Sequence, residues 1–416
     1  MELKRVVITG MGALTPLGNN VSDFWHNLLS GKNGVNSITH FDTTHSKTKF
    51  ACELKNFDIL EYLSVKDARK MDECSHYAYA AAKEALADSL LDLDSINRDR
   101  AGVILGTGIG GVTSTTKDIV EDALVEGVSR LSPFFLIKTL SNMIAGNLSI
   151  LLGFRGTSYV TSAACTSAAC AMADAYHLLQ LGKADLILTG GTEAGIIPIG
   201  INGFNAMHAL STRNDDFKTA SRPFSLGRDG FVMGEGAGIF ILEELEHARA
   251  RGAHIYAEIK GVGLTSDAYH ITSPHPDGYG AMMAMKNAID EGGISLEEVG
   301  HINLHGTSTP IGDIAECKAI MSLFKNQADK IVFTAPKSMT GHLLGAAAAV
   351  ESIATILAMR DGIVPPTINM IERDPDIPDW NFCANGPVRK EFQYALNNAF
   401  GFGGHNASIL FKKFES

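Results

Sequence analysis

Four stretches of this 416-residue chain carry residue types that could do covalent chemistry. In the first, Thr161-Ser162-Ala163-Ala164-Cys165-Thr166-Ser167-Ala168-Ala169, a short β-branched run gives way through small residues to a helical pattern that begins at about Cys165. A thiol at a helix start is exposed to the dipole and to unpaired N–H groups, which favour the thiolate and can hold an oxyanion. The helix that follows is rich in small residues and reads as buried, which would set Cys165 at the base of a cavity. A lone cysteine among apolar residues is more often a packing residue in a close turn, and Cys170, one turn on, is read that way. The second stretch is Asn303-Leu304-His305-Gly306-Thr307-Ser308-Thr309-Pro310, where His305 ends a strand and enters a turn. Strand ends in α/β sheets are where sites gather, although a turn histidine bonded to backbone fits the same residues.

The third stretch, Pro336-Lys337-Ser338-Met339-Thr340-Gly341-His342, leads into four alanines and Val350-Glu351. An unpaired carboxylate inside so apolar a helix would be costly, so a Lys337–Glu351 pair is expected, with His342 just before the helix. The fourth, Asn398-Ala399-Phe400-Gly401-Phe402-Gly403-Gly404-His405-Asn406, flanks phenylalanine with glycines that permit unusual backbone angles and movement; a plain Gly-rich turn is its other reading. Two decoys are set aside. His301 and His305 have metal-pair spacing but lie along a strand, so zinc is not expected. Gly106-Thr107-Gly108-Ile109-Gly110-Gly111 satisfies GxGxxG, yet no strand ending in an acidic residue follows, so a dinucleotide is not expected either.

These residues need a frame. Strands are predicted at residues 5–9, 102–105, 158–161, 186–189, 238–242, 257–260, 302–304, 331–334 and 408–411. Helices are predicted at 68–90, 166–181, 242–251, 279–291, 312–324 and 343–360. The alternation argues an α/β architecture. Thr9-Gly10-Met11-Gly12-Ala13-Leu14-Thr15 is echoed by Lys260-Gly261-Val262-Gly263-Leu264-Thr265, which suggests two related halves, residues 1–252 and 253–416.

Composition narrows the function further. At 45% hydrophobic and 19% charged the chain is globular rather than disordered. A formal net charge of −11 argues against a nucleic-acid binder, though a local basic patch could still receive an acidic partner. Six scattered cysteines without CxxC spacing read as reduced thiols in a cytosolic protein. The first residues lack the long apolar run of a signal peptide, and the apolar segment 343–359 is interrupted by Glu351, Ser352 and Thr355. A buried helix is expected there, not a membrane span.

Taken in order, Cys165, the His305 stretch, Lys337-Ser338-Met339-Thr340-Gly341-His342 and Gly401-Phe402-Gly403-Gly404 resemble the β-ketoacyl-[acyl-carrier-protein] synthases among the thiolase-like condensing enzymes. The resemblance runs the length of the chain, through Ser221-Arg222-Pro223-Phe224, residues 228–238 and Ser266-Asp267-Ala268-Tyr269-His270. It implies a layered αβαβα fold with two pseudo-duplicated halves, a homodimer, and a Cys-His-His triad carried by Cys165, His305 and His342. The second histidine sets the chain apart from initiating synthases and thiolases. Elongating type II enzymes fit best, with type I and polyketide ketosynthases as alternatives and a non-catalytic partner subunit disfavoured by the intact nucleophile.

The resemblance also implies a reaction. Cys165 would take an acyl group from an acyl carrier protein, with the N–H groups of Cys165 and Phe402 as oxyanion hole. His305 and His342, as neutral donors, would stabilise the enolate left when malonyl-carrier protein loses CO₂, and that carbanion would extend the chain by two carbons. No redox or metal cofactor would be required. Phe402 would gate the cavity, and Ile109 would border the far end of the acyl pocket at the dimer interface. Lys66, Arg69 and Lys70, with Arg130 a weaker candidate, would dock the acidic carrier. His208 stands where relatives often carry arginine, and His405 where many carry threonine. Some relatives hold a structural monovalent cation near Asn303, Glu351 and the glycine-rich loop, where Ala399 replaces a common serine. The cytoplasm, or a plastid stroma, is the expected compartment.

Overall fold

The computed structural model describes residues 3–119 and 131–415; Arg130 lies outside the described residues. The β-branched runs become a ten-stranded sheet: β1 (Val6–Leu14), β2 (Ala101–Gly106), β3 (Ser158–Thr161), β4 (Leu186–Glu193), β5 (Gly236–Glu244), β6 (Ala257–Ser266), β7 (Val299–Asn303), β8 (Val332–Thr334), β9 (Tyr394–Gly401) and β10 (His405–Lys413). Their order is β8-β7-β9-β10-β6-β1-β5-β4-β2-β3. Outward from the middle, the two sides repeat one topology. β1 and β6 lead, each flanked antiparallel by the last strand of its side, and the outer strands run parallel. β1 and β6 pair only from Val6↔Ile259 to Ile8↔Ala257, so the ten strands form two five-stranded sheets joined at one end.

Five helices complete the layering: α1 (Glu73–Asp88), α2 (Ser167–Gln180), α3 (Tyr279–Gly292), α4 (Pro310–Phe324) and α5 (Ala347–Asp361). α2 and α5 each follow the third strand of their side and lie between the sheets in one core. Every residue of α5 from Ala347 to Met359 is buried, as a helix apolar on all faces must be. Its polar side chains bond inward, Ser352 Oγ donating to Ala348 O and Thr355 Oγ to Glu351 O. α1 covers the outside of β1 and β5, and α3 that of β6 and β10, which gives an αβαβα stack. This explains the internal echo. A Cβ on Gly10 or Gly12 would strike carbonyls of α1, and one on Gly261 or Gly263 would strike carbonyls of α3, so each outer helix rests on glycine.

Three expectations are corrected. The helix expected from residue 68 begins at Glu73, capped by Asp72, and Val65–Ala68 is a separate turn of helix. β5 runs on to Glu244 before the short helix Leu245–Ala250. β9 forms where no strand is predicted. Asn397 and Asn398 are poor strand formers, but their amides are taken up inside: Asn397 Nδ2 donates to Ala348 O and Ser352 Oγ, and Ser408 Oγ donates to Asn398 Oδ1.

Candidate active site

Cys165 stands two residues before α2, on a bend that the Ser and Thr residues around it lock. Ala164 takes a left-handed φ of 50°, which a side chain adopts only at a cost of about 1–3 kcal/mol. Ser167 Oγ accepts from Ala163 N and donates to Ala164 O, while Thr166 Oγ donates to Ala163 O. A Cβ on Gly106 would collide with the backbone of Ser167, so β2 admits the bend by having no side chain there.

His342 precedes α5 as Cys165 precedes α2. Its N–H donates to Val232 O at 2.7 Å, and its own carbonyl accepts from Gly234 N at 2.9 Å, so a segment far earlier in the chain fixes it. Its Nε2 lies 3.0 Å from Cys165 Sγ. His305 follows β7, and its ring meets that of His342 edge to face at 5.4 Å. The N–H groups of His305 and Gly306 donate to the buried carboxylate of Glu316 on α4 at 2.8 and 2.9 Å. The backbone of Phe402 lies near Cys165 and favours its ionised form. A Cβ on Gly401 would come within 3.0 Å of Ala163 O and 3.1 Å of Cys165 N, so the hairpin between β9 and β10 packs tightly on the Cys165 turn and a side chain there would crowd it. These groups line one cavity of about 650 Å³, with Phe402 and Phe204 in its wall and His208 also facing it.

The electrostatics favour neutral groups. Burial pushes the Cys165 thiol up to about 12, against the pull of the nearby Lys337 cation. Burial thus works against the thiolate that the helix start was expected to favour, and points to a thiol at rest. Burial, then Lys337, holds both imidazoles well below the ordinary histidine value, so they are neutral, as expected. Lys337 Nζ lies 2.5 Å from Glu351 Oε1, with both side chains buried. His301 donates from Nδ1 to Val332 O at 2.8 Å and takes no part in the site.

The sequence carries the models of the β-ketoacyl synthase N-terminal domain over residues 3–248 and of its C-terminal domain over residues 256–371. The chain belongs to the β-ketoacyl synthase family. It is 48% identical over 414 residues to a 3-oxoacyl-[acyl-carrier-protein] synthase 2 of Staphylococcus aureus, covering 99% of both chains, and 47% identical to one of Vibrio harveyi, again over 99% of each. A β-ketoacyl synthase from Burkholderia phymatum superposes with a TM-score of 0.91 at 34% identity, over 99% of this chain and 100% of that one. A type II polyketide ketosynthase solved with its acyl-carrier protein and bound to the hexaketide superposes at 0.92 with 31% identity over the same shares. The fold is therefore thiolase-like, and this synthase is an acyltransferase-type condensing enzyme of fatty-acid elongation.

Other residues fall unevenly around the synthase's cavity. Ile109 is not in the wall described above and is 41% exposed. Lys66 and Arg69 are exposed on and just after the helix Val65–Ala68, whereas Lys70 pairs with Asp67 at 2.8 Å. Asn303 Oδ1 and Glu351 Oε2 are buried without a hydrogen-bond partner. Two such oxygens suit a hard monovalent cation; Ala399 adds no side-chain oxygen. Sequence reading missed Glu316 and Glu193, two buried carboxylates that accept backbone N–H groups at the site. Glu316 follows the His305 stretch and Glu193 follows the predicted strand 186–189, and a charge in so apolar a setting was the available signal.

Proposed function

We propose that Cys165, His305 and His342 carry out an elongating decarboxylative condensation on carrier-protein thioesters. The observation that supports this most directly is His342 Nε2 at 3.0 Å from the Cys165 thiol, with a second neutral imidazole beside it in one cavity. Because the resting sulfur is protonated, its proton passes to His342 as sulfur attacks the acyl thioester, and then to the departing pantetheine sulfur. The N–H groups of Cys165 and Phe402 hold the oxyanion. Malonyl-carrier protein then enters. The neutral imidazoles donate N–H to its thioester oxygen, CO₂ leaves, and the enolate carbon attacks the acyl-Cys165 carbonyl. The product is two carbons longer; sulfur leaves as the thiolate, and Cys165 is reprotonated from solvent, the one proton the overall condensation consumes. Thr307 and Thr309, whose hydroxyls lie 3.0 Å apart on the cavity wall, are placed to bond the amides of the carrier's arm.

Phe402 serves as gate, and Lys337 with Glu351 holds the polar frame behind the histidines. Asn303 and Glu351 would hold a monovalent cation, which would neutralise charge in that frame. The exposed Lys66 and Arg69, with Lys70, receive the acidic carrier protein. The synthase works as a homodimer whose protomer divides at residue 252, and acts in the cytoplasm or a plastid stroma; among the described residues no helix is long and apolar enough to cross a membrane. Incubation with a medium-chain acyl carrier protein tests the reading by intact mass. Wild type should gain an acyl adduct that malonyl-carrier protein discharges as a longer product, and Cys165→Ala should gain none. An adduct that persists in Cys165→Ala would overturn the assignment.

A further inference from the structure

Glu193 ends β4 wholly buried, and each hydrogen-bond partner it has among the described residues is an uncharged donor. Its Oε2 accepts from Gly108 N at 2.7 Å and Gly345 N at 2.9 Å; its Oε1 accepts from Ile109 N and Thr107 Oγ, each at 3.1 Å. Burial raises the carboxyl's pKa, and the N–H groups of Gly345, Gly108 and Ile109 with the Thr107 hydroxyl pull against it; four donors converging on two oxygens suit the anion, since a protonated acid would have to turn a hydrogen toward one of them. The approach is built into the sequence. A Cβ on Gly108 or on Gly345 would stand 2.7 Å from Oε2, and one on Gly345 would also strike the Gly108 backbone. Two turns are therefore pressed together around one carboxylate. The first, residues 107–110, carries Ile109. The second carries Gly345, three residues after His342.

We propose that Glu193 is a positioning residue for the condensation, a single anionic clamp that holds the Ile109 wall of the acyl pocket in register with the His342 turn. The inference rests on the readings of Cys165 as acyl carrier and Ile109 as pocket wall. A clamp of this kind links two properties that are otherwise separate: which chain lengths load, and how the histidine meets the thioester. The clamp's charge also opposes ionisation of the Cys165 thiol, which supplies an independent readout.

Glu193→Gln is the informative variant, because its amide nitrogen would face a donor and release at least one turn. Loading of Cys165 from a long-chain and a short-chain acyl carrier protein should be followed by intact mass, together with kcat and the pH profile of Cys165 alkylation. A displacement of about 1 Å costs on the order of a hundredfold in rate. Condensation by Glu193→Gln should fall by about ten- to a hundredfold, the ratio of long- to short-chain loading should change, and the alkylation profile should move to lower pH. Glu193→Asp keeps the charge with a shorter reach, so it should retain the alkylation profile while still disturbing the chain-length ratio. A Glu193→Gln protein with wild-type chain-length ratio and alkylation profile, whatever its thermal stability, would reduce Glu193 to a structural residue and overturn the proposal. Wild-type enzyme that fails to acylate Cys165 would instead overturn the nucleophile on which it rests.

Discussion

At Cys165 burial holds the thiol and the two imidazoles toward their neutral forms, and a lysine cation acts on all three. Lys337 has opposite effects on them. It favours the thiolate and disfavours the imidazolium, so one cation readies sulfur for attack while keeping the histidines as neutral donors. The sulfur therefore ionises only as it reacts. Alkylation of the free enzyme by iodoacetamide should keep accelerating as pH rises past 9, without the plateau below pH 8 that a preformed thiolate–imidazolium pair would give. Lys337→Met should displace the profile to still higher pH, because the group that lowers the thiol's value is gone. A plateau near neutrality would show that the ion pair exists at rest. The candidate nucleophile and both histidines stand out in sequence because each sits in a turn of small residues, Cys165 and His305 where a strand gives way to a helix and His342 between two helices. The state of the thiol was not legible, because dipole and desolvation oppose each other and only the folded surroundings decide between them.

The elements that hold the site were less evenly legible. Strands of β-branched residues and the long apolar helix α5 declared themselves, and so did the glycine echo of β1 and β6. β9 did not, because its asparagines find their partners on α5 and β10, contacts that no local pattern records. The Lys337–Glu351 pair could be inferred from cost alone, and the structure shows the contact. It joins the short helix Lys337–Thr340 to α5, the two elements on either side of His342. Removing one partner leaves the other buried and uncompensated, a loss of about 3–5 kcal/mol. Lys337→Met should destabilise the protein by that amount in guanidinium unfolding, and adding Glu351→Leu should recover most of it, since a packed apolar pair replaces a buried ion pair at little cost. A double variant no more stable than the single one would mean that Lys337 packs rather than neutralises.

For the whole molecule, the exposed surface bears on the assembly. Among the described residues the sheet ends at β3, whose outer edge has no strand beside it. On the helix Met143–Leu152, packed against β3, Ile150 is 76% exposed. Nearby in sequence, Leu136 is 70% and Leu140 52% exposed. An unpaired edge beside bare apolar side chains invites another chain. Ile109 gives the same indication by a separate route: under the proposal that it borders the end of the acyl pocket, its 41% exposure in the single chain calls for a partner that covers it. Closed twofold pairing is the commonest way for a chain to cover such a surface. Sedimentation equilibrium at micromolar concentration should therefore give twice the 44.4 kDa chain mass. Ile150→Asp, which puts a charge into the proposed interface without touching the cavity, should shift the mass toward a single chain and weaken acyl loading at the same time, because the pocket loses the surface that closes it. A wild-type protein that sediments as one chain would remove the dimer. An Ile150→Asp monomer that loads acyl groups normally would show that Ile109 needs no partner to close the pocket.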